Sequence, residues 1–215
     1  MEFNKYIEHT LLKQNASNKE VKKLLDEAIE YKFLGVCVNP CNVKFAKEYL
    51  KGTDIKVVTV IGFPLGQSTT EVKILETVDA IKNGADEIDM VINGGKLEDG
   101  DYNYITEEIS KIKTACQGHN LKVIIETDLL NQEQITKACE LCITGGADFV
   151  KTSTGFVKNG AGAKAEDVKL MYEAVKNAGL KVKASGGIRD KAAATKMIEA
   201  GATRLGTSSG VNICS

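Results

Sequence analysis

Residues Asn131–Thr154, NQEQITKACELCITGGADFVKTST, hold one complete folding unit. From Asn131 to Gly145 the stretch has helical period, and Cys139 and Cys142 stand in it as small apolar residues. A Gly146-Ala147 pair follows, and then a short run of strand type from Asp148 to Thr154. A glycine at a helix C-terminus tolerates the positive φ that ends the helix. The same stop signal recurs at Gly84-Ala85 and Gly201-Ala202, so the chain repeats one helix–glycine–strand unit.

Outward from this unit, strand-type runs lie at Ile7–Thr10, Gly35–Asn39, Lys56–Gly62, Glu87–Asn93, Lys122–Thr127, Lys181–Gly186 and Arg204–Ser208. Further helical stretches cover Asn18–Tyr31, Thr69–Asn83, Tyr102–Cys116, Lys164–Ala178 and Asp190–Ala200. Eight strand–helix units in 215 residues predict an α/β fold, a (β/α)8 TIM barrel near its minimum size. An open doubly wound sheet is the alternative, but it more commonly has fewer strands. No linker or low-complexity tract interrupts the chain, so residues 1–215 are expected to form a single domain.

With 28 basic and 29 acidic residues the net charge is -1, and no block of like charges marks a nucleic-acid partner. No apolar stretch approaches the roughly 18 residues needed to span a bilayer. Met1–Lys13 lacks a basic segment followed by an apolar run. The expectation is a cytoplasmic protein with no membrane contact. Six Cys and two His offer no ligand set of metal-site spacing, so neither a metal nor a disulfide is expected. The run Gly160–Ala165 fits a dinucleotide-binding pattern, but it falls several residues past its strand, and no acid follows at the required distance. No phosphate-binding loop of the G-x-x-x-x-G-K-[ST] type exists. No cofactor is expected.

Residues of one parity on a barrel strand face the helices, and the others face the interior. Ile88, Met90 and Ile92 are apolar and belong outside, which turns Glu87 and Asp89 inward. The same test turns Lys181, Lys183 and Ser185 inward, and Lys151 lies near the C-terminal end of its strand. Asp89, Lys151 and Lys183 therefore converge near one mouth, at the end where barrel enzymes place their chemistry. A lysine amine can attack a carbonyl to form an imine, an electron sink that lets a neighbouring C–C bond break. At a pKa of about 10.4, only about one lysine in 2,500 is neutral at pH 7. A second ammonium about 5 Å away lowers that pKa by roughly two units. Asp89 would oppose the shift beside the nucleophile, so it is expected nearer the other lysine. Gly155, Gly186-Gly187, Gly206 and Ser208 follow the last three strands, where barrels bind phosphate.

The segments Val150–Phe156, Val182–Arg189 and Arg204–Gly210 resemble signature segments of the deoxyribose-phosphate aldolase family, as do Glu87–Asn93 and Gly35–Pro40. The resemblance spans essentially the whole chain. It implies a metal-free lysine Schiff-base aldolase that splits 2-deoxy-D-ribose 5-phosphate into acetaldehyde and D-glyceraldehyde 3-phosphate. It also implies Lys151 as the imine nucleophile, Lys183 as the residue that lowers its pKa, and Asp89 in proton transfer through a water. Gly155, Gly186, Gly187, Gly206 and Ser208 would hold the phosphate, Thr152 and Thr154 would lie near substrate hydroxyls, and Cys37 near the aldehyde. A homo-oligomer, dimer or tetramer, is the family habit.

Three departures stand out. Glu8 replaces the Asp usual in the first strand and is expected to line the site. Phe156 stands where some members carry Lys, and the sequence ends at Ser215 without the terminal Tyr that assists proton transfer in some members. Two other readings compete. A phosphosugar isomerase or epimerase on the same barrel would use Glu87, Asp89 or Glu126 as a base without an imine, and leaves the paired lysines unused. A non-catalytic phosphometabolite-binding protein has no need of a lysine with depressed pKa.

Overall fold

The computed structural model describes residues 1–215 and closes eight parallel strands into a barrel in chain order. The strands are β1 (Ile7–Leu11), β2 (Gly35–Val38), β3 (Lys56–Ile61), β4 (Glu87–Val91), β5 (Asn120–Ile124), β6 (Phe149–Lys151), β7 (Lys181–Ser185) and β8 (Ala202–Thr207). Around them lie α1 (Asn18–Tyr31), α2 (Val43–Tyr49), α3 (Thr70–Lys82), α4 (Gly94–Glu98), α5 (Tyr102–Ala115), α6 (Gln132–Thr144), α7 (Ala165–Val175), α8 (Lys191–Glu199) and α9 (Gly210–Cys214). The expected barrel is the observed one, and no helix is long and apolar enough to cross a membrane.

Local chemistry sets the boundaries. Ser17 and Glu20 form a reciprocal cap at the start of α1, and Asn131 and Gln134 do the same for α6. The glycines that end α3, α6 and α8 have φ of 102°, 78° and 111°, as the recurrent stop signal requires. Outward-facing strand residues such as Val57, Ile88, Met90, Val123, Val150, Val182 and Leu205 join the helices in one large apolar core. Inside the barrel the apolar part is small: Leu12, Cys37, Val58 and Val60, with Phe63 against them. Much of the rest of the interior is charged, with the buried Phe149 ring beneath the charges.

A buried ion pair sits outside the barrel wall between α3 and α5. The Lys73 ammonium donates to Glu108 and to the carbonyl of Val91, both at 2.9 Å, and so ties the end of β4 to two helices. Nearby, Gly66 has a φ of 71°, and a Cβ there would lie 2.0 Å from the Ile92 carbonyl oxygen. Gly66→Ala is therefore expected to lower the unfolding free energy by about 3 kcal/mol, read as a fall in the urea midpoint at unchanged slope.

Candidate active site

Register brings the ionisable side chains to one place. Lys151 pairs with Lys183 across β6 and β7, and Lys183 pairs with Arg204 across β7 and β8. Asp89 pairs with Lys122 across β4 and β5. Because these positions share the inward parity, their side chains meet in the barrel interior, and Asp89, Lys122, Lys151 and Lys183 are all buried.

One oxygen of Asp89, Oδ2, accepts from Lys151 Nζ at 2.7 Å and from Lys183 Nζ at 2.7 Å. The two ammonium nitrogens are thus no further apart than twice that distance. The expectation that Asp89 lies nearer Lys183 is corrected: it bridges both lysines equally. A single carboxylate oxygen has room for two donors, and Lys122 occupies the other oxygen at 3.0 Å. What separates the two lysines is Glu8, whose carboxylate hydrogen-bonds Lys183 as well.

That asymmetry fixes the protonation order. Burial pushes the Lys151 pKa down, the positive Lys183 pushes the same way, and Asp89 only partly opposes them. Burial also acts on Lys183, but Asp89 and Glu8 together outweigh it and hold the pKa above the ordinary lysine value. Asp89 resists the effect of its own burial because Lys122, Lys151 and Lys183 surround it, and its carboxyl stays well below the usual range. A charge count agrees. Three interior carboxylates, Glu8, Glu87 and Asp89, face the cations Lys122, Lys151, Lys183 and Arg204, and the exposed Lys56 lies 3.7 Å from Glu87 as well, so cations outnumber carboxylates. Of the three buried lysines, Lys151 has a single carboxylate partner, whereas Lys183 has Glu8 and Asp89 and Lys122 has Glu8, Glu87 and Asp89, so Lys151 is the least supported.

Lys122 and Arg204 were not among the candidates read from the sequence. Lys122 Nζ reaches Glu87 at 2.5 Å besides Asp89, and Arg204 lies 3.4 Å from Glu8. Both stand over the ring of Phe149, with Lys181 on the same ring nearer the exposed floor. Lys122→Met would leave Glu87 and Asp89 short of a buried partner, so the expected loss is about 3 kcal/mol of stability. Asp89 would then draw harder on Lys151, which moves the acid limb of any Lys151-dependent activity to higher pH; a urea melt and a pH–rate profile check the two effects.

Above the charged cluster opens a cavity of about 460 Å³ at the C-terminal ends of the strands. Lys151, Thr154, Gly155, Gly186, Gly187, Gly206 and Ser208 all line it. Thr152 does not. Its buried hydroxyl donates to the carbonyl of Ser185 at 3.1 Å and accepts from the Ser185 N–H at 3.0 Å, so it ties β6 to β7 instead of facing substrate hydroxyls. Cys37 is buried in the inner apolar cluster outside the cavity lining, and burial pushes its thiol up to about 11. Glu8 also lies outside the lining, in the ion-pair cluster as the partner of Lys183. Phe156 lines the cavity and meets Phe63 edge-on at 5.2 Å, which leaves Lys13 and Arg189 as the cations of the lining besides Lys151.

The Gly160–Ala165 run has a structural use. A Cβ at Gly162 would lie 2.5 Å from the carbonyl carbon of Gly186, so the loop after β6 crosses the loop after β7 where neither carries a side chain. Asp128 accepts the Gly162 N–H at 2.8 Å and secures the crossing. Glu126, with φ of 60°, accepts the Thr154 N–H at 3.1 Å and holds the residue that follows Ser153 into the cavity wall. No three His, Cys, Asp or Glu side chains gather as a metal site requires.

A closed barrel with one poised lysine and a glycine-lined cavity at its mouth is the architecture of a lysine-dependent aldolase, and the comparisons agree. The model of the DeoC/LacD family aldolases matches residues 4–215, and the chain belongs to that family. Deoxyribose-phosphate aldolase 1 of Staphylococcus aureus strain MRSA252 is 55% identical over 213 residues, which covers 99% of this chain and 96% of the relative. Deoxyribose-phosphate aldolase 2 of S. aureus strain COL is 55% identical over 209 residues, covering 97% and 94%. Among solved structures, the deoxyribose phosphate aldolase of Aeropyrum pernix, described as a tetramer, superposes with a TM-score of 0.91 at 32% identity, covering 99% of this chain and 89% of its own.

Proposed function

We propose that this chain cleaves 2-deoxy-D-ribose 5-phosphate reversibly to acetaldehyde and D-glyceraldehyde 3-phosphate. The neutral amine of Lys151 attacks C1 of the open-chain aldehyde, and loss of water gives an iminium ion. The proton of the C3 hydroxyl is removed, the C2–C3 bond breaks, and its electron pair moves into the iminium to give an enamine. C3 leaves as the aldehyde of glyceraldehyde 3-phosphate. Protonation of the enamine at C2 and hydrolysis then release acetaldehyde and restore Lys151.

In this scheme Lys183 stays cationic and keeps Lys151 deprotonated, and Asp89 passes protons through a bound water. Gly155, Gly186, Gly187, Gly206 and Ser208 hold the phosphate, and Thr154 lies beside the substrate hydroxyls. The observation that carries the reading is that Lys151 and Lys183 share one Asp89 oxygen while Glu8 bonds Lys183 and not Lys151, which supports Lys151 as the amine. An isomerase without an imine has no use for that arrangement. Assembly as a dimer or tetramer in the cytoplasm belongs to the same proposal, supported by the tetrameric A. pernix relative. The direct test is formation of glyceraldehyde 3-phosphate from 2-deoxy-D-ribose 5-phosphate, followed by a coupled NADH assay. Folded protein that yields no triose phosphate would refute it.

A further inference from the structure

Glu126 is a buried carboxylate that the catalytic scheme leaves unused. It follows β5 in the left-handed region, at φ of 60° and ψ of 67°, a conformation unfavourable for any residue with a Cβ and kept where the surroundings over-determine it. Its partner is not a cation but Thr154. The Thr154 backbone N–H donates to it at 3.1 Å, and the Thr154 hydroxyl donates to it as well. Burial pushes its carboxyl up, these two donors pull it back, and Asp128 and Lys151 act less and in opposite directions. The Thr154 oxygen in turn accepts the Phe156 N–H at 3.1 Å. A threonine hydroxyl has one proton and two lone pairs. With the proton turned to Glu126 and one lone pair taken by Phe156, Thr154 has a single lone pair left for a ligand in the catalytic cavity that it lines. Such a group binds a hydroxyl and repels a phosphate oxygen. To hold the Thr154 N–H alone, a neutral amide would serve. To hold the O–H in one direction takes a group that only accepts, and an ionised carboxylate is that group.

We propose that Glu126 is a positioning residue, which holds the Thr154 hydroxyl as a pure acceptor so that Thr154 selects a substrate with a hydrogen-bond donor at C4. The proposal rests on the aldolase reading above. Thr154 stands in the chain between Lys151, which takes C1, and Gly155, which takes the phosphate on C5, and the C4 hydroxyl is the one that does not react. Glu126 itself makes and breaks no bond and acts only through Thr154.

The test is calorimetric binding of three phosphorylated alcohols, the forms of 2-deoxy-D-ribose 5-phosphate reduced at C1 that carry a hydroxyl, a hydrogen or a fluorine at C4. None can form an imine or a ring, so the result is independent of turnover, and a cleavage assay judges the aldolase reading separately. In the wild-type protein the hydroxyl compound should bind about fivefold more tightly than the hydrogen compound, as one net hydrogen bond allows. The fluorine compound, an acceptor set against an acceptor, should bind no more tightly than the hydrogen compound. In Glu126→Gln the amide oxygen keeps the Thr154 N–H, the amide NH2 donates to the Thr154 oxygen, and the Thr154 proton is free for the ligand. The fluorine compound should then bind about twofold more tightly than the hydrogen compound. A merely structural tie would weaken all three together and leave their order unchanged, and that result overturns the proposal. A wild-type protein that prefers fluorine to hydrogen, that does not distinguish hydroxyl from hydrogen, or that binds none of the three overturns it too, whether or not Glu126→Gln folds. Thr154→Val should bring the hydroxyl and hydrogen compounds within about twofold of each other. A hydroxyl preference that survives this change means that another group reads C4, and the proposal falls.

Discussion

Lys151→Ala is expected to reduce cleavage of 2-deoxy-D-ribose 5-phosphate by about ten-thousand-fold or more, because no other group can supply the imine. The same substitution should leave the barrel at least as stable as before. Cations outnumber carboxylates in the cluster, so removal of Lys151 relieves repulsion among them. Asp89 keeps Lys122 and Lys183 as partners. The side chain faces an existing cavity, so its loss creates no new closed void. A urea melt and a coupled assay on one preparation separate the two statements. A large fall in stability would mean that Lys151 is a structural cation and that the charge count is wrong.

Lys183→Leu should act in a different way, by moving the pH at which the enzyme works. Activity requires neutral Lys151, so it rises with pH through the Lys151 pKa. That pKa is pushed down by burial and then by Lys183. Loss of the Lys183 charge raises it, and Asp89, with one cation fewer, draws it up further. Both effects have the same sign. At about 5 Å and an effective dielectric near 20 the interaction amounts to about 3 kcal/mol, or roughly two pH units. The acid limb of kcat/KM should therefore shift upward by about two units, with a loss of roughly a hundredfold at pH 7 that is recovered in alkali. The variant also leaves Glu8 with only Arg204 and Lys122 at 3.4 and 3.6 Å, so some stability is lost. The double variant Glu8→Gln/Lys183→Leu removes that carboxylate. It should recover stability and keep the displaced acid limb, and an unchanged pH profile would remove Lys183 from its tuning role.

Much of this was legible in the residues. All eight strands were, because β-branched runs alternate with longer amphipathic stretches, three of which end in a Gly-Ala stop; parity turned Asp89 and Lys183 inward, and the strand-end position placed Lys151 beside them. The helices α2, α4 and α9 were not, since five to seven residues carry too little periodicity to register. Lys122 and Arg204 were missed for one shared reason. Their strands were read as starting at these residues, where a cation looks like a solvated end. In the structure β5 begins at Asn120 and β8 at Ala202, so both side chains are well inside their strands and inside the barrel. The equal sharing of Asp89 and the inward tie of Thr152 to Ser185 depend on side-chain distances that pattern alone does not carry.

The central claim is that Lys151, and not its equally buried neighbours Lys122 and Lys183, is the amine that carries the carbonyl. Borohydride reduction in the presence of acetaldehyde, followed by mass spectrometry of the peptides beside an untreated control, tests it most directly. The account predicts a two-carbon adduct on Lys151 alone. An adduct on Lys183, or none under conditions of measurable turnover, would contradict it.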